Sequence, residues 1–171
     1  MLTDEEEKLL EDMMIYKDDV FRICLGFSRN PSDAEDLSQD VYLKALQNVG
    51  KVHTPYAVKE WLLRIARNTC LDQGKKRRII RFFERTANPD DAVETKTPES
   101  TTDSGERLTS LKKAISRLPK KQREVFVLRE YGHLSYQELA RTLGIKEGTV
   151  MSRLNRARRA VTDFVKEALH G

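Results

Sequence analysis

The sequence is poor in the residues that build disulfide-bonded, metal-binding or membrane-spanning proteins. Only two cysteines occur among its 171 residues, Cys24 and Cys70, and neither belongs to a CxxC pair or has histidines at ligand spacing, so no zinc site is expected. No apolar run reaches the roughly 18 residues of a transmembrane helix. The acidic N-terminus lacks the basic and apolar regions of a secretion signal, which predicts a cytoplasmic protein. With 8 glycines and 5 prolines, most of the chain is expected to be helical.

The small net charge of +4 hides a strong alternation along the chain. Residues 1–50 carry a net charge of −7, residues 51–86 of +7, residues 87–106 of −5 and residues 107–171 of +9. Two basic blocks separated by an acidic stretch suggest two contacts with one polyanion. Residues 87–106 lack apolar periodicity and are predicted to be a flexible linker.

Residues 134–161 predict a helix-turn-helix. Ser135 and Glu138 have the spacing of a capping box that opens a short helix, and Leu134 and Leu139 have that of a hydrophobic staple. Gly144 is suited to ending this helix in a left-handed conformation. The second helix has an apolar line at i, i+4, i+7 and i+11, formed by Val150, Leu154, Ala157 and Val161.

The opposite arc of that second helix is polar and basic. It contains Gly148, Ser152, Asn155, Arg156 and Arg159. Arginine can bond guanine through two donors, and asparagine can bond adenine in the same way, so this face suits the major groove of DNA. A charged surface helix on an ordinary bundle is the alternative, and the tight turn and the apolar back favour the DNA-binding interpretation.

The N-terminal half predicts a helix over residues 4–28, a break at Pro31 and a second helix that starts with a capping box at residues 32–35. The outward face of this second helix mixes acidic, amide and apolar side chains: Asp36, Gln39, Asp40 and Leu43. Such a face suggests a protein-docking surface. Asp36 and Asp40 could instead hold a divalent metal in a nuclease, but no third ligand is evident.

A further helix is predicted from Pro55, with Thr54 as its N-cap, and residues 68–69 are expected to interrupt it and cap a following basic helix. Phe82 and Phe83 lie inside that basic run. They could stack on bases of single-stranded nucleic acid, or they could belong to a core behind a patch that binds the duplex backbone. Two more helices, the second opened by Pro119, are expected to complete a four-helix C-terminal module.

These segments together resemble the extracytoplasmic-function, or group IV, sigma factors of bacterial RNA polymerase. The segment DAEDLSQDVY (residues 33–42) resembles region 2.2 of that family, with Asp40 where Glu is commoner. WLLRIARN (61–68), followed by Asp72 and the basic run, resembles regions 2.3 and 2.4. REVF (123–126), LSYQELA (134–140) and GTVMSR (148–153) resemble region 4. The resemblance implies an all-α fold of two small domains: region 2 at residues 1–86, a linker at 87–106 and region 4 at 107–171.

The resemblance also implies roles for individual residues. In region 2.2, Asp36, Gln39, Asp40 and Leu43 would bind the clamp helices of the polymerase β′ subunit. Contacts to the single-stranded −10 element would come from Trp61, Arg64, Asn68, Lys75, Lys76, Arg77 and Arg78, with a flipped base near Asn68. Contacts to the −35 duplex would come from Thr149, Met151, Ser152, Arg153, Asn155, Arg156 and Arg159. Met151 and Asn155 stand where relatives often have basic or aromatic residues.

The family resemblance implies a protein that catalyses nothing and needs no cofactor. Its implied partners are core RNA polymerase, through the β′ clamp helices and the β flap, together with promoter DNA and an anti-sigma factor. Family members act in the bacterial cytoplasm, and an anti-sigma factor can hold them at the membrane. The alternative is a self-contained helix-turn-helix regulator that never binds polymerase.

Overall fold

The structure, a computed structural model, describes residues 1–52, 58–87 and 103–171. Within these ranges it contains eight α-helices and no strand, which confirms the predicted all-α fold. The helices are α1 (Asp4–Met14), α2 (Lys17–Ser28), α3 (Pro31–Gln47), α4 (Val58–Ala87), α5 (Asp103–Arg117), α6 (Lys120–Glu130), α7 (Tyr136–Leu143) and α8 (Glu147–His170). None of the described helices combines the length and apolar character needed to cross a membrane.

The first bundle is built from α1 to α4, and α4 is its central helix. Helices α1, α2 and α3 all pack on α4, which also contacts α7 of the second bundle. The inward face of α4 is therefore wide, and it includes the adjacent, fully buried Leu62 and Leu63. The N-terminal half of this 30-residue helix is held by packing on several sides, whereas its C-terminal half is rich in charged residues.

Two predicted helix boundaries in the first bundle were wrong. The helix expected over residues 4–28 is divided at residues 15–16 into α1 and α2. Helix α3 does not begin with the predicted capping box at residues 32–35. Instead the Asn30 side-chain oxygen accepts from the backbone N–H groups of Ser32 (2.9 Å) and Asp33 (3.3 Å). Pro31 occupies the first helical position, where its missing N–H costs nothing.

The break expected at residues 68–69 is also absent, because α4 continues through it to Ala87. Thr69 is buried, and its hydroxyl is 3.3 Å from Lys44 Nζ of α3 as a hydrogen-bond acceptor. The cap preference of Asn and Thr is a weak local tendency, and packing of α4 on α3 overrides it here. The predicted Thr54 cap and Pro55 helix start lie outside the described residues.

The two cysteines lie together in the core of the first bundle. Cys24 of α2 is fully buried, and the Cys70 thiol of α4 donates to the Cys24 sulfur over 3.7 Å. This hydrogen bond lowers the pKa of the Cys24 thiol, although burial opposes the change. The same bond, together with burial, raises the pKa of Cys70.

The second bundle is built from α5 to α8, with α8 packed against the other three helices. Its fully buried side chains include Ile115, Leu128, Leu134, Leu139 and Leu154. Helix α5 begins at Asp103, inside the stretch predicted as linker. The rest of that predicted linker, residues 88–102, lies outside the described residues.

The two bundles contact each other where α2 meets α6. A Cβ built on Gly26 of α2 would lie 2.6 Å from a side-chain carbon of Val127 and 2.9 Å from the Tyr131 ring. A Cβ built on Gly132, just past α6, would lie 2.8 Å from Ile23 of α2. Both glycines therefore allow a closer approach than any other residue would permit.

Candidate nucleic-acid interface

The helix-turn-helix has the predicted caps. The Ser135 hydroxyl accepts from the backbone N–H of Glu138 over 3.1 Å, and the Ser135 backbone N–H donates to the Glu138 carboxylate over 2.7 Å. Gly144 ends α7 in the left-handed region with φ of 64°. Three residues then separate α7 from α8, which is the turn length typical of the motif.

Helix α8 has one buried side and one exposed side, as its sequence pattern predicted. Val150, Leu154, Ala157 and Val161 are all buried. The exposed side carries most of the residues expected to contact the −35 duplex: Met151, Ser152, Asn155, Arg156 and Arg159. Thr149 and Arg153 are half-buried at the edges of this face. The arrangement leaves the Asn155 amide and the Arg156 and Arg159 guanidinium groups accessible to base edges, whereas the Ser152 hydroxyl donates to the Thr149 carbonyl over 3.1 Å.

Two other arginines of this bundle hold its helices together. Arg129 donates to the Leu134 carbonyl over 2.6 Å and lies over the Tyr136 ring. Arg158 of α8 forms an ion pair of 2.6 Å with Glu130 of α6. The hydrogen bond to Glu130 raises the pKa of Arg158 above its ordinary value. These contacts separate structural arginines from the exposed Arg156 and Arg159.

The residues expected to contact the −10 strand are spread along α4 in different environments. Asn68, Lys75, Lys76 and Arg78 are exposed. Arg77 is half-buried and pairs with Asp33 of α3 over 2.9 Å. Trp61 is half-buried and packs against the core, so most of its ring supports the bundle.

Phe82 and Phe83, near the C-terminal end of α4, are exposed to solvent. Each is 64% exposed, so neither belongs to a core. The two rings meet edge to face, with centroids 5.8 Å apart. Ile79 and Ile80 are also more than half exposed, so the C-terminal end of α4 presents apolar side chains within a basic segment.

The predicted docking face of α3 is exposed along its whole length. Asp36, Gln39, Asp40 and Leu43 are all accessible, and Leu43 is 56% exposed. Leu46, which was missed from the sequence, is 48% exposed one turn further on. Gln39 and Leu46 also border a groove of about 780 Å³ between α3 and the first two helices, whose apolar lining includes Leu10, Met13, Met14, Phe21 and Tyr42. The described residues contain no cluster of three or more side chains able to hold a metal, so the nuclease hypothesis has no support there.

Arg64 was predicted to contact DNA, but in this structure it contacts the helix-turn-helix. Its guanidinium donates to the backbone carbonyls of Thr142 (3.3 Å) and Arg141 (3.1 Å). These carbonyls belong to the last turn of α7, where backbone acceptors lack helical partners and carry partial negative charge. Helix α4, which was predicted to contact the −10 strand, and the predicted helix-turn-helix therefore meet at Arg64.

Three ion pairs between α4 and the second bundle surround this contact. They join Arg67 to Glu124 over 2.8 Å, Lys59 to Glu138 over 2.8 Å, and Arg141 to Glu60 over 2.7 Å. Burial raises the pKa of Glu138, but hydrogen bonds from Lys59 and the Ser135 backbone outweigh it and leave that pKa lowered. Sequence reasoning missed these pairs because each joins residues at least 57 positions apart, beyond the reach of any local pattern.

Two family models match the chain. The model for Sigma-70 region 2 matches residues 13–79, and the model for Sigma-70, region 4 matches residues 108–161. The two matches together span well over half of the sequence and follow the division into two bundles. The chain belongs to the sigma-70 family. As a sigma factor it carries region 2 at residues 13–79, from the end of α1 into α4, and region 4 at residues 108–161, from α5 into α8.

Comparison with curated proteins places the sigma factor in the extracytoplasmic-function group. It is 34% identical over 154 residues to the ECF RNA polymerase sigma factor SigE of Mycolicibacterium smegmatis, with 88% of this chain and 58% of that protein covered. It is 27% identical over 171 residues to the ECF RNA polymerase sigma factor SigW of Bacillus subtilis, with 95% of this chain and 91% of that protein covered. The chain thus spans less than two thirds of SigE and nearly all of SigW.

Solved structures share the fold of this sigma factor. The sigma factor RpoE of Bartonella quintana, solved with the anti-sigma factor NepR, is similar with a TM-score of 0.67 and 26% identity, over 91% of this chain and 95% of RpoE. CnrH, solved with the cytosolic domain of CnrY, has the same TM-score at 20% identity, over 96% of this chain and 99% of CnrH. At that identity the CnrH comparison shows the fold alone.

Proposed function

We propose that this sigma factor binds core RNA polymerase and directs transcription initiation at particular promoters. The observation that carries the proposal is the pairing of an exposed Ser, Asn and Arg face on α8 with a separate exposed basic face on α4. One face suits a duplex and the other an unpaired strand, so the two bundles together suit a partly opened promoter. The protein supplies recognition, and the polymerase supplies the chemistry.

In this proposal the boundaries are residues 1–86 for region 2, 87–106 for the linker and 107–171 for region 4. Asp36, Gln39, Asp40 and Leu43 bind the β′ clamp helices of the polymerase. The exposed leucine gives contact area, and the carboxylates give charge complementarity to a basic partner. Region 4 additionally meets the β flap.

The −10 strand is held in this proposal by α4. Asn68 lies next to the flipped base, and Lys75, Lys76, Arg77 and Arg78 hold the phosphates, with Trp61 and Arg64 at the other end of the same helix. Unpairing a base costs a few kcal/mol, which contacts to the base and backbone must offset. On α8, the −35 duplex is contacted by Thr149, Met151, Ser152, Arg153, Asn155, Arg156 and Arg159.

In this proposal the contact between the bundles blocks part of the surface of α4 that binds promoter DNA. Arg64 cannot donate to the α7 carbonyls and to a DNA strand with the same guanidinium hydrogens. Region 4 therefore has to leave α4 before the whole −10 face becomes available. We propose that polymerase binding separates the bundles in the bacterial cytoplasm, and that an anti-sigma factor opposes this step, because the similar sigma factor RpoE was solved with the anti-sigma factor NepR.

Charge reversal on α3 tests the proposed function. The double variant Asp36→Lys/Asp40→Lys should lose binding to core polymerase in a pull-down and retain its fold by circular dichroism, because both side chains are exposed. The matched control is Asp163→Lys/Glu167→Lys, which reverses two exposed carboxylates on α8. Unchanged polymerase binding in the α3 variant would remove the basis of the proposal and favour a self-contained regulator.

A further inference from the structure

The C-terminal end of α4 presents an apolar surface that the core does not use. Ile79, Ile80, Phe82 and Phe83 are 55–64% exposed, although large apolar side chains usually form cores. Both phenyl rings remain accessible while the two bundles are in contact. An exposed patch of this kind commonly marks a binding surface.

This surface continues the face that carries Asn68. At about 100° per residue, Asn68, Lys75, Ile79, Phe82 and Phe83 fall within an arc of about 100° on α4. Asn68 and Phe82 are 14 positions apart, which corresponds to about 21 Å along the helix axis. A strand of about six stacked nucleotides covers this distance at 3.4 Å per nucleotide.

Basic side chains flank the rings at helical spacing. Arg78 lies four residues before Phe82 and Arg85 three residues after it, so both are neighbours of that ring on the helix surface. Both arginines are exposed. An aromatic face between two cations is the arrangement by which proteins hold unpaired nucleotides, with bases on the rings and phosphates on the cations.

From this geometry we infer that Phe82 and Phe83 form a second stacking site for single-stranded DNA, about six nucleotides along the strand from Asn68. The choice of DNA rests on the proposed function. An anionic membrane surface shares the preference for basic and apolar side chains. The four exposed apolar side chains within residues 79–83, which also include Arg81, extend little more than one helical turn, however, and share a face with the polar Asn68, which favours a strand over a bilayer.

The test measures binding of the full-length chain to fluorescent single-stranded DNA by anisotropy. The probes are a random 12-mer, a 12-mer of the same length whose sugars lack bases, and a 4-mer too short to reach from Asn68 to Phe82. The variant Phe82→Ala/Phe83→Ala should bind the 12-mer about tenfold or more weakly. Its affinity for the abasic 12-mer should be unchanged, and so should the salt dependence, because no cation is removed. The 4-mer, which can occupy only one of the two sites at a time, should lose less affinity than the 12-mer.

Two further variants serve as controls. Phe82→Trp/Phe83→Trp should restore binding of the 12-mer, since tryptophan also stacks on bases. Met14→Ala/Ile15→Ala removes two exposed apolar side chains from the far end of α1 and should leave all affinities unchanged. Circular dichroism should show the same helix content in every variant.

Three results would overturn the inference. The first is equal 12-mer affinity in the wild type and the alanine variant. The second is an equal loss for the normal and the abasic 12-mer, which would indicate a phosphate effect. The third is loss of binding to vesicles containing phosphatidylglycerol while 12-mer binding is unchanged, which would indicate a membrane site. A core-polymerase pull-down of the wild type separates these failures from failure of the proposed function.

Discussion

The pair formed by Arg67 and Glu124 offers the sharpest test of the contact between the two bundles. Glu124 is buried, with its side chain 6% exposed, and its carboxylate accepts from two nitrogens of Arg67 at 2.8 and 3.3 Å. Arg67 lies on α4 and Glu124 on α6, so the pair exists only while the bundles are in contact. The substitution Glu124→Ala removes the buried partner.

The free energy that Glu124→Ala costs the contact between the bundles should lie between two limits. Removing one partner of a buried ion pair costs about 3–5 kcal/mol, whereas an exposed pair contributes at most about 1 kcal/mol. Arg67 is 24% exposed and keeps a hydrogen bond of 2.9 Å to Asn68, so its guanidinium still contacts solvent and one acceptor when Glu124 is removed. We therefore expect a loss of about 2 kcal/mol. That loss falls on the closed arrangement, because both side chains reach water once the bundles separate, and it multiplies the open-to-closed ratio by about 30.

The assay is energy transfer between dyes on cysteines introduced at the exposed Lys8 of α1 and Lys166 of α8. Glu124→Ala should lower the transfer efficiency, and Arg67→Ala should lower it at least as much, because it leaves the buried Glu124 carboxylate without this partner. The double variant should fall well short of the sum of the two single effects, because both substitutions remove the same interaction. Glu130→Ala is the matched control, since it breaks an ion pair of 2.6 Å that lies wholly within the second bundle. Equal transfer efficiency in Glu124→Ala and Glu130→Ala would refute the reasoning.

Three further outcomes are expected, two from the contact between the bundles and one from the core of the first bundle. Gly26→Leu should separate the bundles in the energy-transfer assay, because even its Cβ would lie 2.6 Å from a side-chain carbon of α6, and unchanged transfer would contradict this. The thiols of Cys24 and Cys70 should react with Ellman's reagent only on unfolding, since both are buried, so a fast phase in native buffer would argue against that placement. Acidification should open the bundles, because the stability that a lowered carboxyl pKa confers is fully present above the ordinary value and is lost as the pH falls through the lowered pKa of Glu138; equal transfer efficiency above and below that lowered pKa would oppose this.

Local sequence signals predicted the helix-turn-helix well. The caps at Ser135 and Gly144 and the buried line on α8 depend on residues a few positions apart, and all of them have the predicted structure. The α3 face was also predicted correctly as exposed, because a 3.6-residue period is enough to assign the sides of an amphipathic helix.

The failures arose where long-range packing overrode a local preference. Thr69 has the chemistry of a helix cap, yet it is buried against α3 and α4 runs through it. Arg64 has the chemistry of a DNA contact, yet the free carbonyls of α7 accept its hydrogens in the closed arrangement. No spacing along the chain indicates that residues 77 or 78 positions apart will meet, so the contact between the bundles required the structure.

Helix α4 can act as a lever because it is one unbroken rod. Its 30 residues extend about 45 Å, with the N-terminal half clamped between helices and the C-terminal end projecting beyond them. Arg64 and Phe82 are about 27 Å apart along this rod, so a tilt of about 5° at Arg64 displaces Phe82 by about 2 Å. A displacement of that size makes or breaks a stacking contact. A partner that pulls α7 away from Arg64 and breaks the ion pair between Arg77 and Asp33 of α3 would therefore reposition the far end of α4 without touching it.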